Sequence, residues 1–200
     1  LRETDASERD RSLKQLAQSS ERASHLINQM LALARTENIG ETLSLATIDL
    51  NDPVRQAVGQ LAPLAIDAHL DLGFDGTDQP ALIRANGILI GELVQNLLMN
   101  AIHYTPAGGL INVRVSTENG TIQLIVEDNG PGIPESEREK VFSRFYRLRD
   151  RIPSTEDQAK GSGLGLSIVH EIARLHRASI KITDGNHDGT TFVIEFEPKS

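Results

Sequence analysis

Two hundred residues leave room for one full domain with an appendage. Hydrophobic residues at 38% and charged ones at 24% are ordinary for a soluble globular chain, and a net charge of −8 argues against bulk nucleic-acid binding, which wants a basic face. Without cysteine there is no disulfide framework and no thiolate metal site; no apolar run approaches the roughly 20 residues that span a bilayer, and no signal peptide is visible.

The chain opens without Met in a polar segment, LRETDASERDR, and reads as a piece of something longer. From Arg9 to Arg35 neither Gly nor Pro interrupts it. Leu13, Leu16, Ser20, Ala23, Ile27, Met30 and Ala34 recur in steps of three and four, a heptad stripe widened by Leu26 and Leu33. Lys14, Gln15, Glu21, Arg22 and Gln29 take the opposite face. One amphipathic helix cannot bury its own stripe, so this one must pack in a hairpin or a dimer. His25 lies beside the stripe and reads more readily as a surface residue than as a phosphoacceptor. Glu37-Asn38-Ile39-Gly40 reads as the helix end with Gly as cap, which sets a boundary between residues 1–40 and a domain at 41–200.

That domain begins with an alternating strand, ETLSLATIDL. Asp49, Asn51 or Asp52 then caps a helix with Pro53 in its first turn, running to about Asp67. AHLDLGFD and ALIRAN read as short strands, and Ile88 to His103 as a strongly apolar helix. INVRVST and TIQLIVED follow as strands joined at Glu118-Asn119-Gly120. Residues 130–162 are polar and rich in Gly and Pro, a length typical of a functional lid or a disordered segment; only Glu135 to about Arg147 looks helical there. Leu164 to His176 is a helix, followed by strands ASIKITD and TTFVIEFE around a Gly185/Gly189 turn. The order is a mixed α/β layer with hairpins, without the βαβ repeat of a doubly wound sheet.

Four stretches carry chemistry. In ELVQNLLMNAIHY, Glu92, Asn96 and Asn100 fall at successive i, i+4 positions and share one polar stripe. Asn is a poor mid-helix residue, so two of them need a reason: a carbonyl oxygen for Mg²⁺ beside substrate phosphates, or buried amides bonded to backbone. In DNGPGIP, a strand delivers Asp128 to the sheet edge before glycines and prolines turn the chain away. That carboxylate suits a polar ring edge such as an adenine amino group, and suits an Asx-turn equally. GSGLGLS, Gly161 to Ser167, opens a helix directly, where backbone N–H groups and the helix dipole can meet phosphates. It follows the polar lid instead of a strand, which argues against a dinucleotide fold. FSRFYR, Phe142 to Arg147, sets two aromatics three apart to anchor a lid, with Arg144 and Arg147 to face phosphate or a partner.

Taken together, these stretches resemble the ATP-binding domain of bacterial two-component sensor histidine kinases. ELVQNLLMNAIHY is similar to that family's N box, DNGPGIP to its G1 box, FSRFYR to its F box, GSGLGLSIV to its G2 box and GTTF to its last glycine box, in order over residues 41–197. The resemblance implies an α/β domain of the Bergerat type, an α+β two-layer sandwich, preceded by the second helix of a dimerisation and phosphotransfer hairpin that ends in MLALAR. It also implies ATP and Mg²⁺ as ligands. Asn100 would ligate the metal with Asn96 beside the phosphates, and Glu92 would order a water or base. Asp128 would accept from the adenine amino group, with Gly130 and Gly132 giving close approach. Gly161, Gly163 and Gly165 would cradle phosphates, with Leu164 and Leu166 among them. Tyr104 would sit by the nucleotide, and Thr191 would reach adenine through water. The implied partners are a response-regulator receiver domain and a second copy of the chain. The implied place is the cytoplasm, with any membrane contact made by upstream segments.

Two departures stand out. His103 occupies a position where the family commonly has Lys, exchanging a fixed cation for one that titrates near neutrality. No acceptor-His box occurs, so the chain is expected to bind ATP without phosphorylating itself. A gyrase- or chaperone-type ATPase and a non-catalytic, ATP-ordered regulatory module are the alternatives. The ATPase needs a water-activating Glu where Asn96 stands.

Overall fold

The computed structural model describes residues 44–118, 120–148, 162–185 and 188–197; the expected N-terminal helix, His25 and the boundary at residue 40 lie outside them. In chain order the elements are β1 (Ala46–Asp49), α1 (Asn51–Asp67), β2 (Asp71–Asp75), β3 (Leu82–Ala85), α2 (Gly87–Tyr104), β4 (Leu110–Glu118) and β5 (Thr121–Asp128). Then come α3 (Gly165–Leu175), β6 (Ser179–Asp184) and β7 (Thr190–Phe196).

Five strands form a sheet in the order β2-β4-β5-β7-β6, with β2 parallel to β4 and every other pair antiparallel. Along β4, β5 and β7 every second residue is buried: Ile111, Val113 and Val115; Ile122, Leu124 and Val126; Phe192, Ile194 and Phe196. These meet Leu93, Leu97 and Leu98 of α2 and Ile168, Val169 and Ile172 of α3 in one core. Each fully buried Leu or Ile contributes about 1.5–3 kcal/mol relative to exposure. The opposite face of the sheet is polar, with Gln123, Glu195, Ser179 and Lys181 bonded across it. The architecture is the expected two-layer α/β sandwich. A separate antiparallel pair, β1 with β3, sits at the entry to α1.

Capping is where local chemistry differs from expectation. Three residues were candidates to cap α1, yet Leu50 holds the cap position without a side-chain bond. Asp49 serves instead as a hub, its Oδ1 accepting from Asn51 N–H at 3.0 Å, Asn51 Nδ2 at 2.9 Å and Ala81 N–H at 3.1 Å. It thereby fixes the start of α1 to the start of β3. Helix α2 is capped conventionally: Asn86 Oδ1 accepts from Ile88 N–H at 3.1 Å and Leu89 N–H at 3.2 Å.

The stretch Glu135 to Arg147, expected to be helical, is two single 3₁₀ turns, Glu135–Glu137 and Lys140–Phe142, followed by a bend and a turn. Val141 is the one buried residue of the two turns, too little apolar face to hold a helix of several turns. Phe145, at φ +63°, then turns the chain away.

Candidate functional site

The C-terminal half of α2, the ends of β5 and β7, the loop after β5 and the N-terminus of α3 enclose an open cleft. Period 3.6 on α2 turns Leu93, Leu97 and Leu98 into the core and leaves Asn96 and Asn100 on the cleft side. Asn96 is buried, and its Nδ2 donates to the Glu92 carbonyl at 2.9 Å. Asn100 is half-buried and ends in the cleft. At the last turn of α2, His103 and Tyr104 also face in, their rings edge to face with centroids 4.8 Å apart.

Strand β5 delivers Asp128 to the floor, where it is 7% exposed. Its Oδ1 accepts from Gly130 N–H at 2.9 Å. Burial pushes its carboxyl above the ordinary value; N–H donors from Gly130 and Thr190 oppose this, and neighbouring Glu127 adds to the rise. The Asx-turn and a ligand-facing carboxylate therefore coexist: one oxygen closes the turn while the side chain still lines the cleft. Gly132, at φ +70°, lets the loop lie on the β6–β7 connection; a Cβ there would stand 2.4 Å from the Asp188 carbonyl.

Across the cleft, Gly163 at φ +71° packs against Phe145, where a Cβ would meet backbone at 2.8 Å. Its carbonyl accepts from Phe145 N–H at 2.8 Å, tying the turn after the second 3₁₀ segment to the start of α3. Leu164 at the cap position of α3 offers no side-chain acceptor, so the first-turn N–H groups at Gly165 and Leu166 have no cap. The Tyr146 hydroxyl donates to Glu137, holding the aromatic at the cleft wall. Met99, Ile133, Val141, Leu148 and Phe192 give that wall its apolar character.

Of the residues singled out in the sequence, Asn96, Asn100, His103, Tyr104, Asp128, Gly132, Gly163, Gly165 and Leu166 line this one cleft. Gly130 lies behind Asp128, and Leu164 is 1% exposed in the core. Glu92 sits one turn back on α2, outside the lining, and its backbone carbonyl accepts from Asn96 Nδ2. Gly161 is outside the described residues. At the end of the sheet, Thr190 lines the cleft and Thr191 does not. Register explains the difference: Thr190 pairs with Asp128 and shares parity with Phe192 and Ile194, whereas Thr191 pairs with Glu127 on the polar face. The alternation in TTFVIEF was the signal available for it. Ser162, whose Oγ accepts from Leu164 N–H at 3.2 Å, also lines the cleft; it stands inside GSGLGLS, where the resemblance gives a role only to the glycines and leucines.

A family profile described as histidine kinase-, DNA gyrase B-, and HSP90-like ATPase matches residues 85–200. The chain is 34% identical to the sensor protein kinase PmrB of Pseudomonas aeruginosa over 200 residues, all of this chain and 40% of that one. Its fold is similar to a mycobacterial sensor histidine kinase, MprB, at 27% identity and a TM-score of 0.65, covering 78% of this chain and 99% of that one. It is also similar to full-length ShkA in complex with AMPPNP, at 25% identity and a TM-score of 0.71, covering 86% of this chain and 35% of that one. The chain thus spans about 40% of the length of the curated relatives it matches.

Proposed function

The chain belongs to the histidine kinase-, DNA gyrase B- and HSP90-like ATPase family, and from that premise we propose that it is the ATP-binding catalytic core of a sensor histidine kinase. In the whole protein it would direct the γ-phosphoryl of ATP to a histidine outside the described residues, for relay to an aspartate of a response regulator. The observation that carries this is the convergence of separate sequence blocks on one cleft whose floor is a buried carboxylate. The likeness to a kinase whose structure holds AMPPNP supports a nucleotide as its ligand.

Each group in the cleft has a chemical task on this reading. Asp128 accepts from the adenine amino group at a depth where only a flat ring can reach, and the apolar wall covers the ring's faces. Uncapped N–H groups at the start of α3 meet the phosphates at the positive end of the helix dipole. Asn100 offers one neutral oxygen, and no cluster of three or more His, Cys, Asp or Glu able to hold a metal exists among the described residues. That donor set fits Mg²⁺ held largely by substrate phosphates, with Asn100 as a protein ligand. When bound, the ion supplies charge neutralisation at the transferring group. Positioning and electrostatics supply the rest, since phosphoryl transfer asks little covalent chemistry of the protein.

Among the described lining residues Asp128 is the one carboxylate, and it lies at the floor. Asn96 is bonded to the backbone of its own helix. Neither is suited to activating a water, which favours transfer over hydrolysis. A cytoplasmic site of action and a dimeric whole protein belong to the same proposal; no helix among the described residues is long and apolar enough to cross a membrane.

Calorimetric titration with AMPPNP, with and without Mg²⁺, tests this on the chain and on Asp128→Asn. Binding that tightens with Mg²⁺ and weakens at least about tenfold in the variant is expected, the range for a hydrogen bond to a charged group. Equal affinity in both proteins would remove the adenine assignment.

A further inference from the structure

The two helices that wall the cleft meet again at its far side. Helix α2 brings Asn96, Asn100 and His103 to the cleft with its C-terminal half, and its N-terminus is Asn86. Helix α3 brings Gly165 and Leu166 with its first turn, and its C-terminus is His176. Asn86 and His176 are 90 residues apart in sequence, yet Asn86 N–H donates to His176 Nε2 at 3.0 Å.

The polar atoms of both residues are committed at this junction. Because Nε2 receives an N–H, it must be the unprotonated nitrogen; the proton is on Nδ1, which donates to the Ile172 carbonyl at 2.7 Å. The neutral ring thus lies between the positive end of one helix and the negative end of the other, its own dipole aligned with both. Asn86 has its side-chain oxygen on Ile88 and Leu89 and its amide nitrogen on the Ser44 carbonyl at 3.4 Å. Between junction and cleft the helices share a buried core that includes Ile90, Leu93, Val94, Ile168, Val169 and Ile172, and so dense an interior transmits strain from one end to the other.

We propose that His176 is a positioning residue for the nucleotide cleft, holding the N-terminus of α2 to the C-terminus of α3 and thereby setting how Asn100 and Gly165 face each other at the opposite ends. This rests on the nucleotide reading above. Protonation of Nε2 would set N–H against N–H and place a charge at the positive end of α2. Burial already disfavours that charge, and the Ile172 carbonyl only partly offsets it. No acidic residue stands in the first turn of α2. On α3, Glu171 is paired with Arg174, and Arg177 follows His176. None of these side chains rewards an imidazolium.

Gln and Asn separate the two ring nitrogens. His176→Gln can place an amide oxygen where Nε2 accepts; His176→Asn cannot reach Asn86. AMPPNP affinity, measured by calorimetry far below the melting temperature at pH 7.5, should be nearly unchanged in His176→Gln and weaker by roughly five- to tenfold in His176→Asn, the lower range for coupling between sites. Lowering the pH stepwise from 7.5 to the acid limit of the fold should weaken binding more in the wild type than in His176→Gln. The nucleotide is the same in both titrations, so the excess belongs to His176. This second arm serves if His176→Asn does not fold. A folded His176→Asn with wild-type affinity, or identical pH profiles for wild type and His176→Gln, would reduce the junction to a purely structural contact. No binding by the wild type at any pH would overturn the nucleotide reading itself, and the junction's role with it.

Discussion

Burial holds the Asp128 carboxyl above its ordinary value of 3.8, so the folded chain grips that proton more tightly than the unfolded one. Its contribution to stability is greatest below about pH 4 and is lost as pH rises through the folded-state value. At neutral pH the ionised group therefore works against the fold that holds it. Asp128→Asn keeps an oxygen for the Gly130 N–H and removes the charge, so the ligand-free variant should melt no lower than wild type at pH 7.5 while losing nucleotide. A drop in melting temperature with affinity retained would contradict this. His176 behaves oppositely. Its ring pKa is lowered by burial below 6.5, so its contribution is fully present above that value and is lost as pH falls through the folded-state value. Urea denaturation from pH 7.5 down to pH 5 should show a shallower acid loss in His176→Gln than in wild type.

Among the elements, α1 carries two helix-weakening residues on its exposed side. Pro63 lies inside it, and Gly59, whose carbonyl loses a partner to that Pro, has nothing within 4 Å of the point a Cβ would occupy. Gly59→Ala should raise unfolding free energy by roughly 0.5–1 kcal/mol, read from the urea midpoint at unchanged slope. Asn86→Ala removes the cap of α2 and should cost about 1 kcal/mol by the same measurement. How legible an element was depended on how local its causes are. Helix α2 was readable because its apolar period and polar stripe lie within eighteen residues. The carboxylate of Asp128 was readable because a strand pattern runs straight into it. The 3₁₀ turns after β5 were not, since charged residues between Glu135 and Lys140 mimic a helix surface while only Val141 is buried. That Thr190 and not its neighbour Thr191 lines the cleft was legible only through strand parity. The hydrogen bond from Asn86 to His176 had no local signal at all, because only the packing of α2 on α3 brings the two together.

For the molecule as a whole, a charge of −8 meets a ligand that is itself strongly negative. Repulsion between them extends over about 10 Å at 0.1 M salt. The association rate of Mg²⁺-free nucleotide, followed by stopped-flow with a fluorescent analogue, should therefore rise as salt is added from low ionic strength. A rate that falls with salt would mean that the local field of Arg147, His103 and the α3 N-terminus prevails over the net charge. The sheet order has a consequence of another kind. Strand β7 inserts between β5 and β6, so β5 keeps one edge unpaired until β7 exists. While a ribosome is still translating the stretch from Asn129 to Gly189, the β4–β5 hairpin presents that edge, with Leu124 and Val126 beside it, to any other strand within reach. Asp128 gains its cross-strand neighbour Thr190 only when β7 arrives. A nascent chain stalled before Thr190 has neither a closed sheet nor a floor to its cleft, and for that interval it is a client for chaperones.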